Sequence, residues 1–247
     1  MRILLVTDAW HPQVNGVVRT LEQTTKGLRK LGHEVLCLTH QGKRTFPLPT
    51  YPEIRLALVR QSDVAAQVDA YMPECIHIAT EGTLGWAVRR HCLNRGLAFT
   101  TSFHSRFPEM LESRLPLPGL GSLAYGWLRR FHAPARTTLV PTPVVARRLS
   151  RLGFKGLEVW TRGVDTDMFC PTGENIFADL AHPIMMCAGR VAVEKNIEAF
   201  LKLDVPGTKV VVGDGPQLES LRAGYPDTVF TGYRTGAELT ATLSSAV

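Results

Sequence analysis

The sequence lacks the cysteine patterns and the long apolar runs that mark several classes of protein. Its five cysteines include no CxxC pair, so neither a zinc site nor a disulfide framework is predicted. They are Cys37, Cys75, Cys92, Cys170 and Cys187, and we expect them to be small buried apolar residues in a reducing cytoplasm. No 18 uncharged apolar residues are consecutive, which argues against a membrane-spanning helix. The apolar run at residues 3–6 ends at Asp8 and is too short for a signal peptide.

Two glycine-rich nucleotide-binding motifs are absent as well. The chain contains neither GxGxxG nor GxxxxGK[ST], which argues against a dinucleotide-dependent dehydrogenase and against a P-loop NTPase. A content of 45% hydrophobic and 20% charged residues is nevertheless that of a folded globular protein. Any ligand-binding or catalytic residues must therefore lie in loops that do not carry these two motifs.

What the sequence does contain is an alternation of short apolar runs and amphipathic segments. The runs with the length of buried strands are residues 2–7, 34–39, 54–59, 75–79, 98–102, 137–140 and 157–161. Helical spacing of apolar residues occurs at 17–31, 84–94, 120–132 and 144–152. This alternation predicts an α/β fold, doubly wound, with a mostly parallel sheet and helices on both faces.

A turn-rich stretch without periodicity, residues 163–173, separates this part from a second alternation. The second part contains predicted strands at 184–188, 209–212 and 228–231 and predicted helices at 196–203, 217–224 and 236–245. We predict a first domain at 1–168, a linker at 169–174 and a second domain at 175–247. Because three strands make half of a doubly wound domain, the second domain is expected to be incomplete.

The loop after the first predicted strand ends in Asn15 and Gly16, directly before a predicted helix. In parallel α/β folds ligands bind beyond the carboxyl ends of the strands. A helix N-terminus there offers N–H groups and a partial positive charge to an anion. Gly16 has no Cβ, so an anion can approach its backbone, and Asn15 can cap the helix. The sequence alone leaves open whether this pair binds an anion or only forms a turn and a cap.

Arg190 and Lys195 flank a second loop, after the predicted strand at 184–188. Arginine contacts two oxygens of a phosphate at once and lysine acts as a point charge, so this pair can hold a diphosphate. Two such cations are also typical of an ordinary solvated surface. Their position at a strand end favours the binding hypothesis.

Histidines and carboxylates supply the remaining candidates. His104 follows the predicted strand at 98–102 and can bind a sugar hydroxyl, exchange protons near neutral pH or be a structural hydrogen bonder. Asp165 and Asp167 form a DxD pair with no further carboxylates beside it, so we predict a turn and cap and no metal site. His77 lies inside an apolar strand and is predicted to be a core histidine with satisfied hydrogen bonds.

The positive charge is concentrated at residues 113–157. This segment has eight basic residues and no acidic one, whereas the rest of the chain has 20 basic and 22 acidic residues. The eight are Arg114, Arg129, Arg130, Arg136, Arg147, Arg148, Arg151 and Lys155. Such a segment suits an anionic surface or substrate: either a membrane, in whose interface the apolar stretch at 115–128 can lie, or an acceptor pocket for a soluble sugar phosphate. No aromatic interleaving or known module supports nucleic-acid binding.

Taken together, these segments resemble the retaining glycosyltransferases of family 4, which have the two-domain GT-B fold. The matching segments run in family order along the whole chain: TDAWHPQVNGVVRTLE, FHSRFPEM, RFHAPARTTLVPTPVVARRL, RGVDTDMFCP, AGRVAVEKN, VVVGDGP and FTGYRTGAEL. The chain is most similar to the branch of bacterial mannosyltransferases and lipid glycosyltransferases. The resemblance implies two Rossmann-like domains, the first on the acceptor side and the second binding a nucleotide sugar.

The resemblance implies a role for each matching residue. Gly16, beside Asn15, would contact the diphosphate of the donor, and His104 would lie beside the transferred sugar. Arg190 and Lys195 would bind and neutralise the diphosphate leaving group, so these two and His104 are the implied catalytic residues. Three further donor contacts are implied: Gly213, Tyr233 and Arg234.

The implied reaction transfers a hexose, mannose or glucose, from a GDP- or UDP-linked donor to a lipid or glycan acceptor with retention. No metal or other cofactor is expected. The location would be the cytoplasm or the inner face of the cell membrane, as in glycolipid synthesis. The implied contacts to membrane or acceptor are Arg114, Arg129, Arg130, Arg147, Arg148 and Arg151.

The sequence departs from the family at its end. A pair of glutamates that holds the ribose and the sugar, the final strands and a C-terminal helix are not found before Val247. The chain is therefore expected to be C-terminally truncated. Two alternatives stay open: a catalytically inactive fragment that binds only membrane or glycan, and a nucleotide-sugar epimerase of the same fold, which would need carboxylates in the cleft.

Overall fold

The structure is a computed structural model that describes residues 1–247 except 14, 49–50, 105–107, 110, 112–116, 118 and 247, and residues 51–53 by their backbone alone. The chain divides into two compact units, Met1–Arg162 and Gly163–Val247. The domain limits predicted at 168 and 175 stay a prediction.

The first unit is built around a parallel sheet. Its described strands are β1 (Arg2–Val6), β2 (Glu34–Leu38), β3 (Thr45–Leu48), β4 (Tyr51–Ala57), β5 (Cys75–Ile78), β6 (Thr100–Ser102), β7 (Thr137–Val140) and β8 (Leu157–Val159). Its helices include α1 (Gly16–Lys30), α2 (Gln61–Tyr71), α3 (Thr83–Arg95), α4 (Leu120–His132) and α5 (Pro143–Arg151). The sheet has the order β2-β1-β5-β6-β7-β8, and all neighbours are parallel. The strand order reverses at β1.

Helices cover both faces of this sheet, as the sequence predicts. Leu4 and Val6 of β1 pack in a cluster that includes Val64 of α2 and Val88 of α3. Alternate residues of the same strand pack on the other face, where Ile3 and Leu5 meet Leu21 of α1. Because successive side chains of a strand point to opposite faces, the apolar run at residues 3–6 of β1 requires this double cover. The burial of these residues is therefore explained by the interior place of β1 in the sheet.

Three elements of the first unit, β3, β4 and α2, differ from the prediction. The strand predicted at 54–59 is observed as β4, but it pairs antiparallel with β3 in a separate two-stranded sheet. β3 was not predicted because it is partly exposed and carries Pro47, which weakens a strand pattern. Helix α2 was also missed, since it buries only Val64 and Val68 and has little apolar periodicity.

The second unit also has a parallel sheet. Its strands are β9 (Ile184–Ala188), β10 (Thr208–Val212) and β11 (Val229–Gly232), in the order β11-β10-β9. A 3₁₀ turn (Val193–Lys195) precedes α6 (Ile197–Leu201), followed by α7 (Leu218–Gly224) and α8 (Gly236–Ser244). Val211 of the central strand packs with α6 and α7, while Val210 and Val212 pack on the other face. The predicted strands and helices of this half are all present.

The cysteines are more varied than predicted. Cys92 is buried in α3, and Cys37 and Cys187 are half-buried beside apolar clusters. Cys75 and Cys170 are exposed, so the expectation that all five are buried apolar residues is wrong. Cys75 begins a strand and Cys170 lies in a turn-rich stretch, where apolar neighbours give a poor guide to burial. None of the described helices has both the length and the apolar character needed to cross a bilayer.

Gly85 fixes the tight connection between β5 and α3. A Cβ at this position would overlap the backbone carbonyl oxygen of Thr80. Two other helical glycines, Gly27 in α1 and Gly126 in α4, have no atom within 4 Å of a placed Cβ. Gly85 is therefore crowded by backbone atoms, whereas Gly27 and Gly126 have room for a side chain.

We expect Gly85→Ala to destabilise the protein and Gly27→Ala to stabilise it. Overpacking against backbone costs about 1–3 kcal/mol, because the carbonyl of Thr80 cannot rotate away. Alanine in an uncrowded helix gains about 0.5–1 kcal/mol over glycine. The midpoint of urea unfolding measures both effects, with Gly126→Ala as a second uncrowded control. Equal shifts for Gly85→Ala and Gly27→Ala would contradict the close contact.

Candidate functional site

The carboxyl edge of the first sheet gathers the polar residues that follow β1, β5 and β6. The sheet order reverses between β2 on one side of β1 and β5 on the other, and ligands of such folds bind at this point. Asp8 follows β1, Thr80 and Glu81 follow β5, and His104 follows β6. The first unit therefore has its candidate site at this edge.

Asp8 is buried and binds the N-terminus of α3. Its carboxylate accepts hydrogen bonds from the backbone N–H groups of Leu84 (3.2 Å) and Gly85 (3.4 Å) and from the hydroxyls of Thr80 and Thr83. Burial raises the pKa of Asp8 above its ordinary value, and these hydrogen bonds oppose the rise. Sequence reasoning missed this role. The N-terminus of α3 is thus occupied by a carboxylate of the protein itself.

Asn15 caps α1, as the sequence allowed. Its Oδ1 accepts hydrogen bonds from the backbone N–H groups of Val17 and Val18, both at 3.0 Å. No atom lies within 4 Å of a Cβ placed on Gly16, so its backbone is sterically open. An anion at this terminus would therefore meet Gly16 rather than the two amides that Asn15 already holds.

His104 lies at the end of β6 and contacts Arg162. The distance from Arg162 Nη2 to His104 Nδ1 is 3.0 Å, and the Trp160 ring lies edge-on with ring centroids 6.3 Å apart. Burial lowers the pKa of His104 to about 3, with smaller contributions from Arg162, His77 and His132. Its Nε2 is buried and has no hydrogen-bond partner among the described residues. The ring is therefore neutral at physiological pH.

Two further histidines surround this position with satisfied hydrogen bonds. His77 contacts Thr100 Oγ1 (2.8 Å) and Ser102 Oγ (2.7 Å), and burial lowers its pKa to about 4. The prediction of a satisfied core histidine is confirmed. His132 contacts Thr101 Oγ1 (2.9 Å) and Glu81 Oε1 (3.1 Å). Sequence reasoning missed the latter pair, because its members are 51 residues apart and come from a loop and a helix.

In the second unit, Arg190 lies in a loop held by glycine contacts. It follows β9, and Lys195 ends the 3₁₀ turn that comes next; both residues are exposed. A Cβ at Gly213 would overlap the carbonyl oxygen of Gly189, and one at Gly215 would overlap that of Val191. The N–H of Val191 also donates to the carbonyl of Asp214 at 2.9 Å. Gly213 therefore packs against the backbone on one side of Arg190, and Gly215 on the other.

The remaining predicted donor contacts lie at the same edge of the second sheet. Tyr233 and Arg234 follow β11, and the N–H of Gly213 donates to the carbonyl of Gly232 at 2.8 Å. Arg234 pairs with Glu238 of α8, and Tyr233 is 55% exposed. The carboxyl ends of β9, β10 and β11 thus bring together the predicted residues of this unit.

The DxD pair behaves as a turn. The Asp165 carboxylate accepts a hydrogen bond from the N–H of Met168 at 3.1 Å, so the prediction of a turn and cap is confirmed for that residue. Among the described residues, no group of three or more His, Cys, Asp or Glu side chains lies close enough to hold a metal ion.

The basic residues of the segment at 113–157 do not all lie at the same end of the first unit. Arg148 pairs with Glu109 (2.6 Å) and lies 6.0 Å from the centroid of the Tyr125 ring. Arg129 instead donates to the carbonyl of Leu152 at 3.0 Å, in the connection that precedes β8. Arg130 is exposed near the C-terminus of α4. Arg114 lies outside the described residues.

Three more cations, Arg147, Arg151 and Lys155, line a shallow depression of about 730 Å³. Arg151 ends α5, and Lys155 precedes β8, which places both near the amino edge of the sheet. The candidate site at Asp8 and His104 lies at the opposite, carboxyl edge. The segment is therefore not a single pocket around that site.

Comparison with known proteins identifies the family of this architecture. The model of the family described as Glycosyltransferase Family 4 matches residues 14–168. A GDP-mannose-dependent alpha-mannosyltransferase of Mycobacterium tuberculosis (strain CDC 1551 / Oshkosh) is 28% identical, over 99% of this chain and 71% of its own length.

Solved structures show the same fold. Sucrose-phosphate synthase from Thermosynechococcus elongatus has a TM-score of 0.70 at 17% identity, covering 100% of this chain and 73% of its own. Anabaena HepE in complex with UDP and glucose has a TM-score of 0.62 at 13% identity, covering 99% and 72%. The predicted α/β class with GT-B architecture is confirmed. The chain belongs to glycosyltransferase family 4.

Proposed function

We propose that the protein transfers a hexose, mannose in the first instance, from a GDP-linked donor to a lipid or glycan acceptor, with retention and without a metal ion. The observation that carries the proposal is the gathering of Arg190, Lys195, Gly213, Tyr233 and Arg234 around one edge of the second sheet. The name of the mycobacterial relative supports GDP-mannose as the donor.

In the proposed reaction, this edge of the second sheet holds the diphosphate of the donor while negative charge develops on it. A guanidinium and an ammonium aimed at the leaving phosphate stabilise that charge without moving during the reaction. The glycine contacts that fix the loop on both sides of Arg190 serve this preorganisation. Permanent cations of this kind can take the place of a divalent metal in neutralising the leaving group.

In the first unit, two groups have the chemistry to contact parts of a nucleotide sugar. Gly16 offers an open backbone at the start of α1 to a phosphate oxygen, and His104 offers a neutral ring nitrogen to a sugar oxygen. The proposal assigns to Gly16 a contact with the donor and to His104 a contact with the transferred hexose.

The acceptor is proposed to be a lipid because of the outer face of α4. Leu123 is 74% exposed and Trp127 is 43% exposed, and exposed Arg130 follows at helical spacing on the same face. Trp127 packs against Trp86 with ring centroids 5.5 Å apart, which holds the indole ring at the surface. Apolar side chains beside cations suit the interface of an anionic membrane.

Calorimetry with GDP-mannose tests the donor site. We expect the full chain to bind GDP-mannose and Arg190→Ala to weaken that binding about tenfold or more, because a charge-assisted hydrogen bond to phosphate contributes about 1.5–3 kcal/mol. EDTA should leave the affinity unchanged. Lys202→Ala is the matched control, since it removes an exposed cation of the same unit that already pairs with Glu198.

Two outcomes of this titration would count against the donor site. Equal affinities for Arg190→Ala and Lys202→Ala would remove Arg190 from it. No heat with either GDP-mannose or UDP-glucose would favour a chain that binds only membrane or glycan.

Vesicle sedimentation tests the lipid surface. We expect stronger binding to vesicles containing phosphatidylglycerol than to pure phosphatidylcholine, since each cation near an anionic leaflet contributes about 1 kcal/mol. Leu123→Ser should reduce binding and Leu31→Ser should not, although both leucines are 74% exposed. Binding that is equal for the two lipid compositions, or equally reduced by the two substitutions, would rule out this face.

A further inference from the structure

The contact between Arg162 and His104 determines which nitrogen of the histidine carries the proton. Arg162 Nη2 lies 3.0 Å from His104 Nδ1. A guanidinium nitrogen in a protein is always protonated and can only donate a hydrogen bond. Nδ1 must therefore accept, and in the neutral ring the single proton must lie on Nε2.

The other nitrogen of His104 is placed to bind a ligand atom. Nε2 is buried and has no hydrogen-bond partner among the described residues. Leaving a buried donor unpaired is costly, so such groups in folded proteins commonly serve a function. A protonated Nε2 can be satisfied only by an acceptor, and the oxygens of a sugar or a phosphate are acceptors.

We propose that Arg162 is a positioning residue that holds neutral His104 as the Nε2–H tautomer, so that Nε2 donates a hydrogen bond to an oxygen of the bound sugar. This inference rests on the proposed function, in which His104 faces the transferred hexose. It adds that the histidine acts as a fixed donor and exchanges no proton with the substrate.

The surroundings of His104 agree with a ring that stays neutral. Burial lowers its pKa to about 3, and the guanidinium of Arg162 also disfavours a positive charge on it. The titratable side chains near it from β5 and α4 are His77 and His132, and His132 Nε2 lies 3.1 Å from Glu81 Oε1. Between pH 5 and pH 8 the protonation state of His104 should therefore not change.

Nitrogen NMR of the full chain tests the tautomer without any substrate. Long-range ¹H–¹⁵N spectra of protein labelled with ¹⁵N-histidine separate the two tautomers, and the loss of one signal set in His104→Gln assigns His104 among the eight histidines. We expect the Nε2–H pattern, unchanged from pH 5 to pH 8. An Nδ1–H pattern, or a titration near pH 6.5, would overturn the inference.

Variants of the arginine test its role. Arg162→Met removes the donor and should change the tautomer balance and raise the pKa of His104, whereas Arg162→Lys keeps a donor and should preserve the pattern. Arg90→Met is the control, because Arg90 is an exposed arginine of α3. If His104 gives the same spectrum in Arg162→Met as in the unsubstituted protein, Arg162 does not set the tautomer.

Binding of GDP-mannose then separates this inference from the proposed function. We expect Arg162→Met to weaken binding about tenfold, the usual effect of one lost hydrogen bond in a site, with Arg162→Lys restoring most of it. An unsubstituted chain that shows the Nε2–H pattern but binds no nucleotide sugar would refute the proposed function while the tautomer assignment stands. Unchanged binding in Arg162→Met, despite an altered tautomer, would refute the positioning role.

Discussion

The N–H groups at the start of a helix need acceptors, and this need determines where an anion can bind in the first unit. Among the described residues, α1, α3 and α5 begin at the carboxyl edge of its sheet, after β1, β5 and β7. Asp8 accepts hydrogen bonds at the start of α3, Asn15 accepts them at the start of α1, and Thr142 accepts one from Val145 of α5. All three acceptors belong to the protein itself. At the start of α1 the open backbone of Gly16 still leaves room for an anion to approach.

Close backbone contacts at glycines fix the loops that carry these groups. In the first unit, a Cβ at Gly82 would overlap the carboxylate of Asp8, and one at Gly85 would overlap Thr80. In the second, Gly213 and Gly215 pack against the carbonyls on either side of Arg190. In each case a residue of the candidate site lies in a loop that a glycine contacts so closely that a side chain on the glycine would overlap it. Gly213 therefore supports the loop of Arg190, and its contact with the donor stays a prediction.

The sequence predicted the elements well where apolar periodicity is strong, and missed contacts that join distant parts of the chain. The first strand, predicted at 2–7, and the capping role that the sequence allowed for Asn15 are both local features. Asp8 and Leu84 are 76 residues apart, and Arg162 and His104 are 58 apart, so no local pattern connects them. The weak patterns also failed: β3 carries Pro47, and α2 buries only two valines. The burial of the Asp8 carboxyl group and the tautomer of His104 depend on tertiary packing. The spacing of residue types along the sequence does not determine that packing.

The protonation state of His104 limits the part that it can take in the proposed reaction. Arginine and lysine stay cationic at physiological pH, and His104 stays neutral because its pKa is lowered to about 3. In the proposed reaction these groups would stabilise charge and orient the sugar without changing their own protonation. His104 has no lone pair left on Nε2 once Arg162 holds Nδ1, so it cannot take a proton from an acceptor hydroxyl. That proton must therefore leave to another base, and the phosphate oxygens of the proposed donor are bases that the substrate itself would supply.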